Sequence, residues 1–74
     1  MIYCQFGADS DIYAHDNILG DIVIHIKEGK GLPVDGECFS ESKDGLLHRL
    51  QHLRSIGYLV PQSLLDSLAT PATA

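Results

Sequence analysis

Residues 11–27 read DIYAHDNILGDIVIHIK, and this stretch decides the fold. In its second half, isoleucines alternate with other residues, which is the period of a β-strand with one buried face. Residues 11–17 have the same strand-like character. Gly20 lies between the two halves, where a three-residue hairpin loop needs a positive φ angle. The stretch therefore predicts an antiparallel hairpin.

The register of this hairpin follows from burial. With residues 18–20 as the loop, Ala14 lies opposite Ile24, and the small and apolar residues share one face. A shift by one residue would set His15 against Ile22 in the core, where burial of an unpaired imidazole is unfavourable. We therefore expect the first register. Its other face carries the cross-strand pairs Tyr13–His25, His15–Val23 and Asp11–Lys27.

One further strand precedes the hairpin and a candidate strand follows it. Residues 2–6 alternate, with Tyr3 and Gln5 on one side and the three remaining side chains on the other. Residues 28–36, EGKGLPVDG, are rich in glycine and proline and predict a loop. Residues 37–40 are the candidate fourth strand.

Two helices are predicted after the strands. Ser40 or Ser42 can cap the first helix, and Gly57 has the position of its C′ residue, with Leu59 available to close the cap. Pro61 then fits the first position of a shorter second helix. The apolar stripes of the two helices are Leu46, Leu47, Leu50 and Leu53, then Leu64, Leu65 and Leu68.

These elements predict an α+β fold. A three- to four-stranded antiparallel β-meander is covered on one face by the C-terminal helix, and a short second helix follows. The 74 residues allow one domain, which we place at residues 1–69. Residues 70–74, TPATA, have nothing to bury and are expected to fray. Because a chain of this size buries only about 60% of its unfolded surface, a metal or a partner subunit often adds stability.

The chain is acidic, with a net charge of −5. Residues 1–26 contain four aspartates and neither lysine nor arginine, and residues 35–44 hold a second acidic group. Direct nucleic-acid binding requires cations that neutralise phosphates, so this charge disfavours it. The charge favours contact with a basic protein surface. The alternative is that the acids only keep a small protein soluble.

The sequence predicts a cytoplasmic protein without membrane segments. The opening MIYCQFGADS lacks the basic and apolar regions of a signal peptide, and no stretch approaches the ~20 apolar residues of a membrane-spanning helix. The two cysteines, Cys4 and Cys38, are too few for a disulfide framework. We therefore expect both thiols to be reduced.

A zinc site is the alternative that the histidines and cysteines leave open. His48 and His52 lie four residues apart on the first predicted helix and so project from one face, and Cys4 and Cys38 could complete a four-ligand set. The catalytic helix motif HExxH is absent, because Arg49 follows His48. We expect no bound cofactor, with zinc as the alternative.

The sequence carries no self-contained catalytic motif. Its serines have no GxSxG setting and its glycines form no GxGxxG phosphate loop, so we expect a protein that is not an enzyme. The face of the sheet that the helix leaves open is the candidate site, since aromatic and aliphatic groups with a charged rim suit a protein-binding or homodimer surface. Its predicted residues are Tyr3, Gln5, Tyr13, His15, Val23 and His25, with Asp9 and Asp11 at the rim.

Two segments resemble a family of short uncharacterised phage proteins. The opening YCQFGADSDIYAHD is similar to that family's FGxDSDVYVY start, and DGLLHRLQHLRSIGYLVPQSLLDSL is similar to its ending of a helix, a Val-Pro pair and a short helix. The resemblance implies an accessory protein that binds a host protein, for example as an anti-CRISPR-like inhibitor of a defence complex or of a transcription complex. Members often carry a CCxC-like segment that looks like a zinc site. This chain reads DIVIHI there, so the metal is not carried over.

A second resemblance is to HicB-type antitoxins, through the meander and the segment LPVDGECFSES at residues 32–42. It implies an antitoxin fragment that binds a small basic toxin, which the acidic charge permits. The DNA-binding carboxy-terminal part of such antitoxins is missing from this sequence, which argues against a complete antitoxin.

Overall fold

The computed structural model describes residues 2–69 as an antiparallel meander followed by two helices. Its four strands pair in the order β1-β2-β3-β4, which confirms the predicted α+β class. The expected fraying of residues 70–74 lies outside the described residues. None of the helices within residues 2–69 is long and apolar enough to cross a membrane. The elements are β1 (Ile2–Cys4), β2 (Ile12–Asp16), β3 (Ile22–Ile26), β4 (Cys38–Glu41), α1 (Lys43–Ser55) and α2 (Gln62–Ala69).

The predicted register of the β2–β3 hairpin is confirmed. Ala14 lies opposite Ile24, and Gly20 has a φ angle of 85°, which a side chain rarely tolerates. Asn17 stabilises the loop, because its Oδ1 atom accepts hydrogen bonds from the backbone N–H groups of Leu19 and Asp21, at 2.9 and 3.1 Å. The loop and the isoleucine pattern thus specify the same pairing.

The core lies between the isoleucine face of the sheet and α1. Burial is nearly complete for the isoleucines of β2 and β3 and for the leucines of α1, and full burial of one such side chain stabilises a fold by about 1.5–3 kcal/mol. Leu47 and the residues of α2 other than Leu65 are only partly buried or exposed. The buried apolar residues are Ile12, Ala14, Ile22, Ile24, Ile26, Leu46, Leu50, Leu53, Tyr58, Val60 and Leu65.

Helix α1 is capped at both ends. The Ser42 hydroxyl accepts the Gly45 backbone N–H over 3.3 Å. At the other end Gly57, with a φ angle of 119°, donates to the Arg54 carbonyl, and Tyr58 donates to the Leu53 carbonyl over 3.1 Å. These two bonds form a Schellman motif, so Gly57 holds the predicted C′ position.

Two details of the helix ends differ from the prediction. The buried residue that follows Gly57 is Tyr58, whereas Leu59, the expected closing contact, is 47% exposed. Helix α2 begins at Gln62, and the Pro61 carbonyl accepts the N–H groups of the first turn. Pro61 therefore precedes the helix by one residue, which keeps its missing N–H outside the helical hydrogen bonds.

Tyr58 fastens the loop between β3 and β4 to the end of α1. Its hydroxyl donates to Asp35 Oδ1 over 2.7 Å and accepts the Val34 backbone N–H over 3.1 Å. Asp35 Oδ2 in turn accepts the N–H groups of Gly31 and Leu32 at 2.7 and 3.3 Å. The bond from Tyr58 holds the pKa of Asp35 below its usual value, whereas burial raises the pKa of Tyr58.

The first strand contains a bulge, so its side chains do not alternate as predicted. Ile2 lies opposite His15 and Cys4 lies opposite Ala14, with the register shifting between them. Because directly opposed residues share a face, Ile2 lies on the side of the sheet away from the core and Cys4 lies on the core side. Tyr3 packs against the core. A bulge inserts one residue and so reverses the alternation of the strand.

Candidate functional site

The candidate site is the face of β2 and β3 that points away from the buried isoleucines. Tyr13 and His15 of β2 and Val23 and His25 of β3 lie on this face, and all four are half-buried. They alternate with core residues, so the same pattern that builds the core presents them on the opposite side. We call this surface, together with Phe6, the open face.

Two histidines on the open face are joined directly through their ring nitrogens. His15 Nε2 and His25 Nε2 lie 3.1 Å apart. The ring planes differ by only 12°, and the ring centroids are 5.3 Å apart. Because the nitrogens are much closer than the centroids, the two rings meet edge to edge and share one hydrogen bond.

The direction of this hydrogen bond follows from a backbone carbonyl. His15 Nδ1 lies 3.2 Å from the Asp16 carbonyl oxygen. A carbonyl can only accept, so the proton of a neutral His15 ring lies on Nδ1 and its Nε2 accepts. His25 then donates from Nε2. This hydrogen-bond network assigns both tautomers.

Tyr13 and Phe6 extend the histidine pair into a contiguous group of four aromatic rings, which we call the aromatic strip. The Tyr13 ring centroid lies 5.1 Å from that of His15 and 5.5 Å from that of His25. Phe6 meets Tyr13 edge to face at 6.0 Å, a favourable aromatic geometry. Gln5 lines a shallow pocket with Phe6 and Tyr13. The strip therefore runs across β2 and β3 to the segment after β1.

Asp11 is buried and does not lie at the exposed rim where it was predicted. Only 2% of its surface is exposed. Asp11 Oδ2 accepts the Leu59 backbone N–H over 2.8 Å and lies 2.9 Å from Lys30 Nζ. Burial acts to raise the pKa of Asp11, but the Leu59 N–H and the Lys30 ammonium outweigh it, so this pKa lies below its usual value. The carboxylate joins three separate segments of the chain.

Of the other predicted site residues, Gln5 lies on the open face, whereas Tyr3 and Asp9 do not. Gln5 joins Tyr13, whereas Tyr3 packs against the core because of the bulge in β1. Asp9 is exposed in the turn before β2. The face thus brings together Gln5, Tyr13, His15, Val23 and His25 from the predicted set.

Residues that the sequence pattern missed enlarge the open face on both sides. Phe6 is 48% exposed and Ile2 is 49% exposed, and both were expected on the core side. On the other side, Cys38 of β4 lies opposite His25, and Ser40 lies opposite Val23. The β4 register depends on the end of a long loop, for which the sequence carries no local signal.

The four residues of the alternative zinc set are not brought together. Cys4 Sγ lies 3.5 Å from the Ile12 carbonyl, and burial raises the pKa of this thiol. His48 and His52 instead line a shallow pocket on α1 with Glu41, Gly45 and Arg49. Within residues 2–69 there is no cluster of three or more side chains that could hold a metal ion.

No protein-family model, curated protein or solved structure matches this chain. The residues of the open face offer aromatic contact area, one shared imidazole hydrogen bond and an exposed thiol at the edge, Cys38.

Proposed function

We propose that the protein acts by stoichiometric binding to another protein through the open face. The single observation that carries this proposal is the aromatic strip, which is flanked by the exposed apolar side chain of Ile2. Interface cores are enriched in aromatic residues and depleted of charged ones. Tyrosine in particular supplies a large share of binding energy at protein interfaces.

We propose a partner with a basic surface. Glu28 and Glu37 line a shallow pocket with Phe6 and His25 at one end of the open face, and Lys27 is the one basic side chain in that lining. Complementary charge speeds the encounter of two proteins. The resemblance to short phage proteins supports a host protein in the cytoplasm as this partner, within a defence or transcription complex. A basic toxin, as the HicB resemblance implies, is the alternative partner.

We propose that this role is not catalytic. His15 uses both ring nitrogens in hydrogen bonds, one with the Asp16 carbonyl and one with His25. A general base needs a free nitrogen within reach of the proton that it abstracts. The His15 imidazole is therefore better suited to shape a contact surface than to transfer protons.

The experiment compares two apolar residues of equal exposure. Phe6 belongs to the aromatic strip, whereas Leu59 lies between α1 and α2, and they are 48% and 47% exposed. The tagged protein is used to capture partners from bacterial host lysates, and the captured protein is then titrated against the wild type, Phe6→Ala and Leu59→Ala. We expect Phe6→Ala to weaken binding at least about tenfold, the effect of a contact worth about 1.4 kcal/mol.

Leu59→Ala is the control for Phe6→Ala, and two results would contradict the proposal. Leu59→Ala should bind like the wild type, and both variants should unfold at nearly the wild-type temperature, because neither removes a buried side chain. Capture of no saturable partner would contradict the proposed function. Equal weakening by both substitutions would show that the open face is not the contact surface.

A further inference from the structure

The two histidine nitrogens on the open face lie about as close together as two ligands of one metal ion do. His15 Nε2 and His25 Nε2 lie 3.1 Å apart. Two imidazole nitrogens at about 2.0–2.1 Å from a tetrahedral Zn²⁺ lie about 3.3–3.4 Å from each other. At a square or octahedral ion the same bond lengths bring them to about 2.9 Å. The observed distance falls between these two values.

One of the two rings is already oriented as metal-binding imidazoles are. The Nδ1 atom of His15 donates to the Asp16 carbonyl, so Nε2 carries the lone pair, which accepts from His25 Nε2 until a metal displaces that hydrogen bond. Metal-bound histidines in proteins almost always donate their other ring N–H to a carbonyl, carboxylate or water, and this bond fixes the ring. The hydrogen bond that would fix the His15 ring in a metal site, from Nδ1 to the Asp16 carbonyl, is therefore already present without a metal.

From these two observations we propose that His15 and His25 form a two-histidine site for a divalent transition metal of the class of Ni²⁺, Cu²⁺ or Zn²⁺. Imidazole nitrogen is a preferred ligand for these ions. The metal replaces the hydrogen bond between the two rings, and the proton of His25 moves from Nε2 to Nδ1. Because no cluster of three protein ligands exists within residues 2–69, water completes the coordination.

The rings can reach the metal with small movements. They now meet edge to edge, so each must turn until both lone pairs point to one position beside the line that joins the nitrogens. The second torsion of a histidine side chain is broad and soft, which allows this turn. Tyr13 packs against both rings and limits the space into which they can rotate.

A competing pair of histidines makes the test specific. His48 and His52 lie four residues apart on one face of α1, where they could share a metal ion. The experiment must therefore report on each ring separately. It needs no knowledge of the protein partner, and the site does not depend on the function proposed above.

We would titrate the full chain with Zn²⁺ at neutral pH and follow the ¹⁵N shifts of the four imidazole rings by NMR. Zn²⁺ is chosen because it is diamagnetic and binds imidazole. We expect the Nε2 signals of His15 and His25 to move together and to saturate at a 1:1 ratio. Signals of His48 and His52 should move only at higher concentration. If His48 and His52 respond first, or if His15 and His25 do not respond together, the proposal is wrong.

Variants provide a second measurement. His15→Asn and His25→Asn should each lower the Zn²⁺ affinity at least about tenfold, a loss of about 1.4 kcal/mol, and should remove the rise in melting temperature that ligand binding produces. The double variant His48→Asn/His52→Asn should keep both properties. Undiminished binding in either single variant would refute the site, and the wild-type titration decides the matter if a variant fails to fold.

Discussion

The buried carboxylate of Asp11 gives the sharpest prediction for stability. Asp11→Ala removes the bond to the Leu59 N–H and the ion pair with Lys30, whose distances are 2.8 and 2.9 Å. A donor left without a partner costs about 1–3 kcal/mol. The Lys30 side chain is 29% exposed, so water screens the ion pair and limits its contribution to about 1 kcal/mol or less. We expect a total loss of about 1–4 kcal/mol.

Two further variants separate these contributions. Asp11→Asn keeps an oxygen for the Leu59 N–H but loses the charge, so it should lose about 1 kcal/mol. Lys30→Met keeps the apolar stem and removes the ammonium, and its loss should be similar. Urea unfolding followed by circular dichroism gives each free energy of unfolding by linear extrapolation.

The pH dependence supplies an independent test of the same carboxylate. The pKa of Asp11 is lower in the folded than in the unfolded protein. Its stabilising contribution is therefore complete above the unfolded pKa of about 3.9 and disappears as the pH falls through the folded pKa. Asp11→Asn should flatten this acid-side decline. The reasoning is refuted if Asp11→Ala unfolds within about 0.5 kcal/mol of the wild type, or if Lys30→Met is the more harmful change.

Two further predictions concern the core and the thiols. Leu50→Ala should destabilise the protein by about 2–5 kcal/mol, because Leu50 is fully buried. Leu59→Ala should change the free energy of unfolding by about 0.5 kcal/mol or less. Equal losses of the two variants in urea unfolding would contradict the placement of the core. Iodoacetamide should modify Cys38 before Cys4, because Cys38 is exposed and burial raises the pKa of Cys4. Peptide mass spectrometry over time checks the order, and faster modification of Cys4 would argue against it.

The hairpin could be predicted from sequence because several local signals agree. Gly20 specifies the loop, and the isoleucines of β3 specify the face, so only one register satisfies both. Each signal acts within a few residues and needs no knowledge of the rest of the fold. For the same reason the leucine stripe and Gly57 located α1 and its end.

The features that sequence analysis missed depend on distant contacts. Tyr58 is buried because its hydroxyl reaches Asp35, 23 residues earlier. Asp11 is buried because it meets Leu59, 48 residues later. The alternation in residues 2–6 predicted the wrong face for Ile2 and Phe6, because the bulge in β1 reverses that alternation and has no signal within these residues. The sequence thus predicted three of the four rings of the aromatic strip and placed Phe6 on the wrong face.

The burial of Asp11 changes where the acidity of the chain can act on a partner. Asp11 and Glu41 lie in ion pairs with Lys30 and Arg49, at 2.9 and 2.8 Å, so their charges are locally balanced. Exposed carboxylates such as Glu37 carry the unbalanced charge instead. Because exposed charges are screened beyond a Debye length of about 8 Å at physiological salt, only those beside the open face could steer the proposed partner onto the aromatic strip. Salt should therefore slow association without weakening the aromatic contacts that hold the complex together.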